Sequence, residues 1–187
     1  MYLHQSCCKT TELSILTCSG EKFNMRRRLS LAEAVDAARM LFELNTGEQG
    51  VLSLARQAGL PADTKENREH LLLEWRAYVH AAVLYALMVQ APNVVVLEYL
   101  RVTQIMLRSL GYSSNEGKDF VDGAFSAYAE PMVRTQTQEC PAVFFRRLLG
   151  KDIREVPGHA AAMVSGVMAM ILSAVMDKLE QYDFALE

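Results

Sequence analysis

Glu66, His70 and Glu74 are spaced by four, so a helix stacks all three on one face. Carboxylate and imidazole at helical spacing are the raw material of a metal-binding bundle. The di-iron version needs Glu-x-x-His on inward faces, so that both ligands reach one ion, and the chain has no such motif. Four-residue spacing in the charged opening turns of a long helix points instead to a surface hydrogen bond or ion pair. His4, Cys7, Cys8 and Cys18 are the other metal-ligating types that lie close in sequence. Zinc sites usually separate paired cysteines by about two to four residues, so that both thiolates face one ion. Adjacent Cys7 and Cys8 fit that poorly, and no metal or other cofactor is expected.

Cys140 is the one thiol with a physical argument for reactivity. It precedes Pro141 at an expected helix N-terminus, where amide N–H groups stabilise a thiolate. Arg146 and Arg147 follow one to two turns later. The competing reading is a buried or idle capping cysteine. No Gly-rich phosphate loop, GxSxG elbow, HExxH or CxxC is present. Every acidic cluster has a solvent-face or helix-cap explanation, so no catalytic carboxylate pair can be identified and an enzyme is the least supported class.

Residues 51–70, VLSLARQAGLPADTKENREH, partly match a helix-turn-helix. Ala55 and Gly59 have the four-residue offset of that motif, and Leu54 and Leu60 are apolar as required. The second helix must pack back on the first, yet the matching offsets carry Lys65 and Arg68. Pro61 and Asp63 also lengthen the turn. A net charge of -3 offers no basic footprint for nucleic acid. Arg26, Arg27 and Arg28 have the charge to touch phosphate, but a charge run ahead of a helix is normally solvated. Nucleic acid is therefore not the expected partner.

These residues must be positioned by helices. The 187 residues suit one domain with a sizeable core. Hydrophobic residues make up 51% and charged residues 22%, an ordinary globular balance. Ten Met and only five Pro favour helix. Four cysteines without a framework spacing suit a reduced, cytoplasmic protein. Residues 1–24 are rich in Ser, Thr and Cys without helical period, and LSIL is too short for a signal-peptide core. They are expected to form a flexible arm ahead of a bundle domain at 25–187.

After Met25 nearly every segment reads helical. Ser30 and Glu33 have capping-box spacing, and Leu31, Val35, Ala38 and Phe42 share the face that follows. NTGEQG breaks this helix, and a short one ends at Gly59 and Pro61. Asp63 or Thr64 caps a long helix to about Gln90, with Glu69, Arg76 and His80 on its wet side. From Ala81 onward it is apolar all round. Val95, Tyr99, Val102, Met106 and Leu110 form the stripe of the next helix, opposite Arg101, Gln104 and Arg108. Ser114 or Asn115 can cap a helix over 116–133 that Pro131 kinks or ends. A short helix after Cys140 stops at Gly150. The last helix runs from about His159 to Tyr182, and no strand is convincing.

That last helix carries no charge from Ala160 to Met176. The run is at the short end for crossing a bilayer and is rich in Ala, Ser and Gly, which gain little from hydrocarbon. The expectation is a buried helix of a soluble protein rather than a membrane span. Ala161, Ser165, Ala169 and Ser173 form a ridge of small side chains suited to close helix packing or an interface. The chain thus reads as an all-α, single-domain bundle of about six helices with a central apolar C-terminal helix. The preferred function is protein–protein interaction or assembly, with self-association into a homo-oligomer. The alternative is a small apolar ligand held between the two apolar helices by Tyr85, Met88, Met168 and Met170. A regulator binding DNA through 51–70 comes third.

Overall fold

The structure, a computed structural model, describes residues 26–184. The expected arm, with His4, Cys7, Cys8 and Cys18, lies outside the described residues. The rest is an all-α bundle: α1 (Leu31–Asn45), α2 (Glu48–Ala58), α3 (Lys65–Gln90), α4 (Asn93–Ser109), α5 (Ser114–Asp119), α6 (Ser126–Val133), α7 (Cys140–Leu149) and α8 (Gly158–Glu180). A π-helical turn over Phe120–Phe125 joins α5 to α6 in one continuous rod.

Local chemistry sets the helix ends. Ser30 and Glu33 close a reciprocal capping box on α1, and Thr64 caps α3 by accepting from the Asn67 N–H. Ser113, one residue before the expected position, forms a second capping box with Glu116 on α5. Gly59 and Gly150 end α2 and α7 at φ +67°, a left-handed conformation that costs glycine nothing. The Leu60 N–H then bonds the Ala55 carbonyl at 2.8 Å, which turns the chain into the connector before α3.

The central helix is α3. It packs on α1, α2, α4, α6, α7, α8 and the π turn. Ala77 to Leu84 are eight successive buried residues, a run only a helix covered on every side can hold. Here the C-terminal helix departs from expectation. α8 is not central: it lies against one side of α3, burying the stripe Ala160, Val164, Met168, Val175 and Leu179. Its apolar composition matches that of a core helix, but the available core positions are taken by α3, whose large side chains meet partners on every face.

Polar side chains on α3 tie the neighbours down. Trp75 Nε1–H donates to the Asn45 carbonyl at the end of α1 at 3.0 Å. The Tyr78 hydroxyl donates to the Met168 carbonyl of α8, and Gln90 Nε2 to the Met176 carbonyl at 2.9 Å. Two three-residue strands, β1 (Arg27–Leu29) and β2 (Tyr182–Phe184), pair in parallel and close the ends of the described chain on each other. Sequence periodicity gave no sign of them, because three residues are too few to show alternation. The arginines ahead of α1 are engaged there: Arg26 with Glu180, Arg27 with Glu33 and Arg28 with Asp183.

Candidate functional site

α8 presents the largest departure from ordinary burial. Both α3 and α8 are long and apolar enough, by length and composition, to cross a membrane. The most apolar 18-residue stretch of α3 is 72% buried, whereas that of α8 is 28% buried. Opposite the buried stripe, Ala162, Gly166, Ala169, Met170, Ser173 and Ala174 are exposed. Met163, Val167, Ile171, Leu172 and Met176 flank them half-buried. Charge appears on this helix only at Asp177, Lys178 and Glu180, in its last turns. Met88 and Val89, near the end of α3, are also exposed, and Gln90 beside them reaches α8.

Among the described residues, no helix packs along the length of the small-residue ridge. Ala161 and Ser165 are half-buried, while Ala169 and Ser173 face solvent. Ser165, Ala169 and Ser173 instead border a groove of about 460 Å³ between α8 and the start of α7, with Tyr78, Gln138 and Pro141 opposite. The candidate apolar pocket does not close. Tyr85 is half-buried, Met88 and Met170 are 51% and 63% exposed, and Met168 is sealed against α3. α3 and α8 pack directly, so their methionines divide between core and surface rather than surrounding a cavity.

Cys140 is the first residue of α7 and is buried. Burial, with the Glu139 carboxylate next to it, pushes its thiol up to about 12. Of the two readings of Cys140, its burial favours the idle capping cysteine, since desolvation outweighs the helix N-terminus. Residues 51–70 span most of α2, the connector and the first turns of α3. Ala55 and Leu60 are buried, but Lys65 and Arg68 are exposed, so these two positions do not supply the packing contact that a helix-turn-helix requires there.

Two buried polar clusters were invisible in the sequence. Glu74, expected on a charged surface, has a side chain only 1% exposed. Its Oε2 accepts from Arg147 Nε at 2.8 Å and from the Tyr128 hydroxyl at 2.9 Å. Its Oε1 accepts from Arg147 Nη2 at 2.9 Å, with His70 Nε2 3.7 Å away. The fork joins α3 to α6 and α7. Burial and the adjacent carboxylate hold the Tyr128 phenol well above its ordinary range, so it stays a donor.

His80, expected on the wet side of α3, is in the core. Nδ1 lies 3.0 Å from the Tyr99 hydroxyl and Nε2 3.3 Å from Thr103 Oγ1. Thr103 donates its only proton to the Tyr99 carbonyl at 3.0 Å. It must therefore accept from Nε2–H, which leaves Nδ1 to accept from Tyr99. This is a neutral imidazole with both nitrogens satisfied. Desolvation lowers it to about 3. Phe120 and Phe125 both lie against it, with ring centroids at 6.0 and 4.9 Å. Five residues apart on an α-helix they would point about 140° away from each other; the wider π turn brings both inward. Among the described residues no group of three or more His, Cys, Asp or Glu could hold a metal ion.

No family model, curated protein or solved structure matches the chain.

Proposed function

We propose that the protein acts by assembly, pairing with a second copy of itself across the exposed apolar face of α8. The observation that carries this reading is a 23-residue helix, uncharged over most of its length, whose most apolar stretch is 28% buried. Water gains nothing from such a surface, and a second protein surface removes the cost. Ala162, Gly166, Ala169 and Ser173 allow two backbones to approach closely, and Met163, Met170 and Met176 adapt to an imperfect fit. The face is nearly free of charge, so it offers nothing to steer an oppositely charged partner. A self-complementary patch about a two-fold axis fits it better.

The size sets the strength. At about 1.5 Å per residue and about 10 Å across, the uncharged stretch from Ala162 to Met176 offers roughly 220 Å² per copy. Met88 and Val89 extend this strip, but the total stays below the roughly 1,200 Å² of a standard stable interface. The pair is therefore of the concentration-dependent kind, in a soluble protein suited to the cytoplasm.

Light scattering behind size exclusion tests the proposal across a wide concentration range. The mass is expected to rise from one chain towards two. Gly166→Glu should hold it at one without lowering the melting temperature, because a Cβ at Gly166 meets nothing within 4 Å and glutamate is the better helix former. A single-chain mass at every concentration overturns the proposal. Recovery only in detergent assigns the face to lipid instead.

A further inference from the structure

A second groove, of about 460 Å³, lies between α3, the turn after α4, and α5. Its walls include Glu69, Leu72, Leu73 and Arg76 of α3, with Tyr112 and Asp119 opposite. Arg76 is the unusual member. Its Nη1 donates to the Tyr112 hydroxyl at 3.1 Å, and its guanidinium carbon sits 5.6 Å from the centre of that ring. Its Nε is buried without an acceptor, and among the described residues no carboxylate lies within ion-pair distance of it. Most half-buried arginines in this protein are paired: Arg39 meets Asp36 and Glu43, and Arg147 meets Glu74. Here three acids line the same groove without touching the cation. Glu116 is occupied with the Ser113 N–H, Glu69 with Lys65, and Asp119 makes no hydrogen bond or ion pair among the described residues.

Both signs of charge are thus held apart in one groove beside an apolar wall. A simple dianion such as phosphate meets Arg76 but is repelled by the acids. A simple cation meets the reverse. A ligand carrying a carboxylate and an ammonium satisfies both; its carboxylate meets the open Nη2 edge, because Nε is sealed from solvent and Nη1 already donates to Tyr112. Leu72, Leu73 and the Tyr112 ring leave room for an apolar side chain, and the volume falls in the range of small-molecule sites. We infer that this groove binds a small zwitterion, a free amino acid with an apolar side chain, whose carboxylate meets Arg76 and whose ammonium faces Asp119. The site is separate from the α8 face and does not depend on assembly.

L-phenylalanine is the probe, compared by calorimetry and NMR titration with its carboxyl amide, with 3-phenylpropionate (which lacks the ammonium) and with inorganic phosphate. The amino acid is expected to bind saturably, the amide and the des-amino acid at least about ten-fold more weakly, and phosphate not at all. Arg76→Gln should weaken the amino acid by about ten-fold or more at an unchanged circular dichroism spectrum, and Asp119→Asn should weaken it too. Gly166→Glu, which tests assembly, should bind as the unaltered chain does. If Arg76→Gln fails to fold, the analogue series on the unaltered chain decides alone. No saturable signal with L-phenylalanine up to about 10 mM, or equal binding of its amide, overturns the inference.

Discussion

Arg147→Met removes a guanidinium while keeping most of its aliphatic stem, and leaves the Glu74 carboxylate where it is. The size of the effect turns on burial. An exposed ion pair contributes about 0–1 kcal/mol, whereas breaking a buried pair from one side costs about 3–5 kcal/mol, because a charge is stranded away from water. Glu74 belongs to the second class, with a side chain 1% exposed. Arg147 is a third exposed, which admits some water and favours the lower end, about 3 kcal/mol. For a chain of this size each kcal/mol moves the melting temperature by about 2–4 °C, giving a drop of roughly 6–12 °C. The stranded charge, rather than lost packing, is isolated by Glu74→Gln/Arg147→Met. The glutamine amide oxygen still accepts from Tyr128 and no charge remains, so most of the stability should return. Thermal and urea unfolding followed by circular dichroism at neutral pH measure both variants. A loss below about 1 kcal/mol for Arg147→Met, or a double variant as unstable as the single one, refutes the reasoning.

Three further outcomes follow from the buried and exposed groups. His80 is neutral when folded, with its imidazole lowered to about 3 by burial from an ordinary 6.5. The unfolded chain takes up a proton below 6.5 and the folded chain does not, so this group's contribution is whole above that pH and falls by about 1.4 kcal/mol per pH unit towards 3. His80→Gln should flatten the acid limb of the stability profile, and an unchanged slope counts against the buried neutral imidazole. Ala169→Leu should leave the unfolding free energy of a dilute sample within about 0.5 kcal/mol, because Ala169 faces solvent in a single chain. A loss of about 1–3 kcal/mol means that the residue is overpacked inside the monomer. With the other three cysteines replaced by serine, Cys140 should react with a disulfide reagent only as fast as the fold opens, since its thiol is pushed up to about 12. Immediate modification of the native protein contradicts that burial.

The chain's own order of residues determined what local chemistry controls. Ser30 with Glu33, Thr64, Gly59 and Gly150 set helix ends through bonds to atoms a few residues away, and each was readable from spacing. Repeating apolar positions likewise announced α1, α3 and α4 and the all-α class. The sequence also showed that two helices were apolar all round, but not which would be enclosed. Composition measures how much a helix gains by being covered; only the packed fold decides how many neighbours are left to cover it. α3 took that place and left α8 with an open face. The same distinction separates His80 and Glu74 from their expected wet side. A polar side chain is buried only where partners wait, and those partners, Tyr99 and Thr103 in one case and Tyr128 and Arg147 in the other, lie 19 to 73 residues away along the chain. Helical period sorts residues by direction around an axis, and it carries no record of what the tertiary structure brings to meet them.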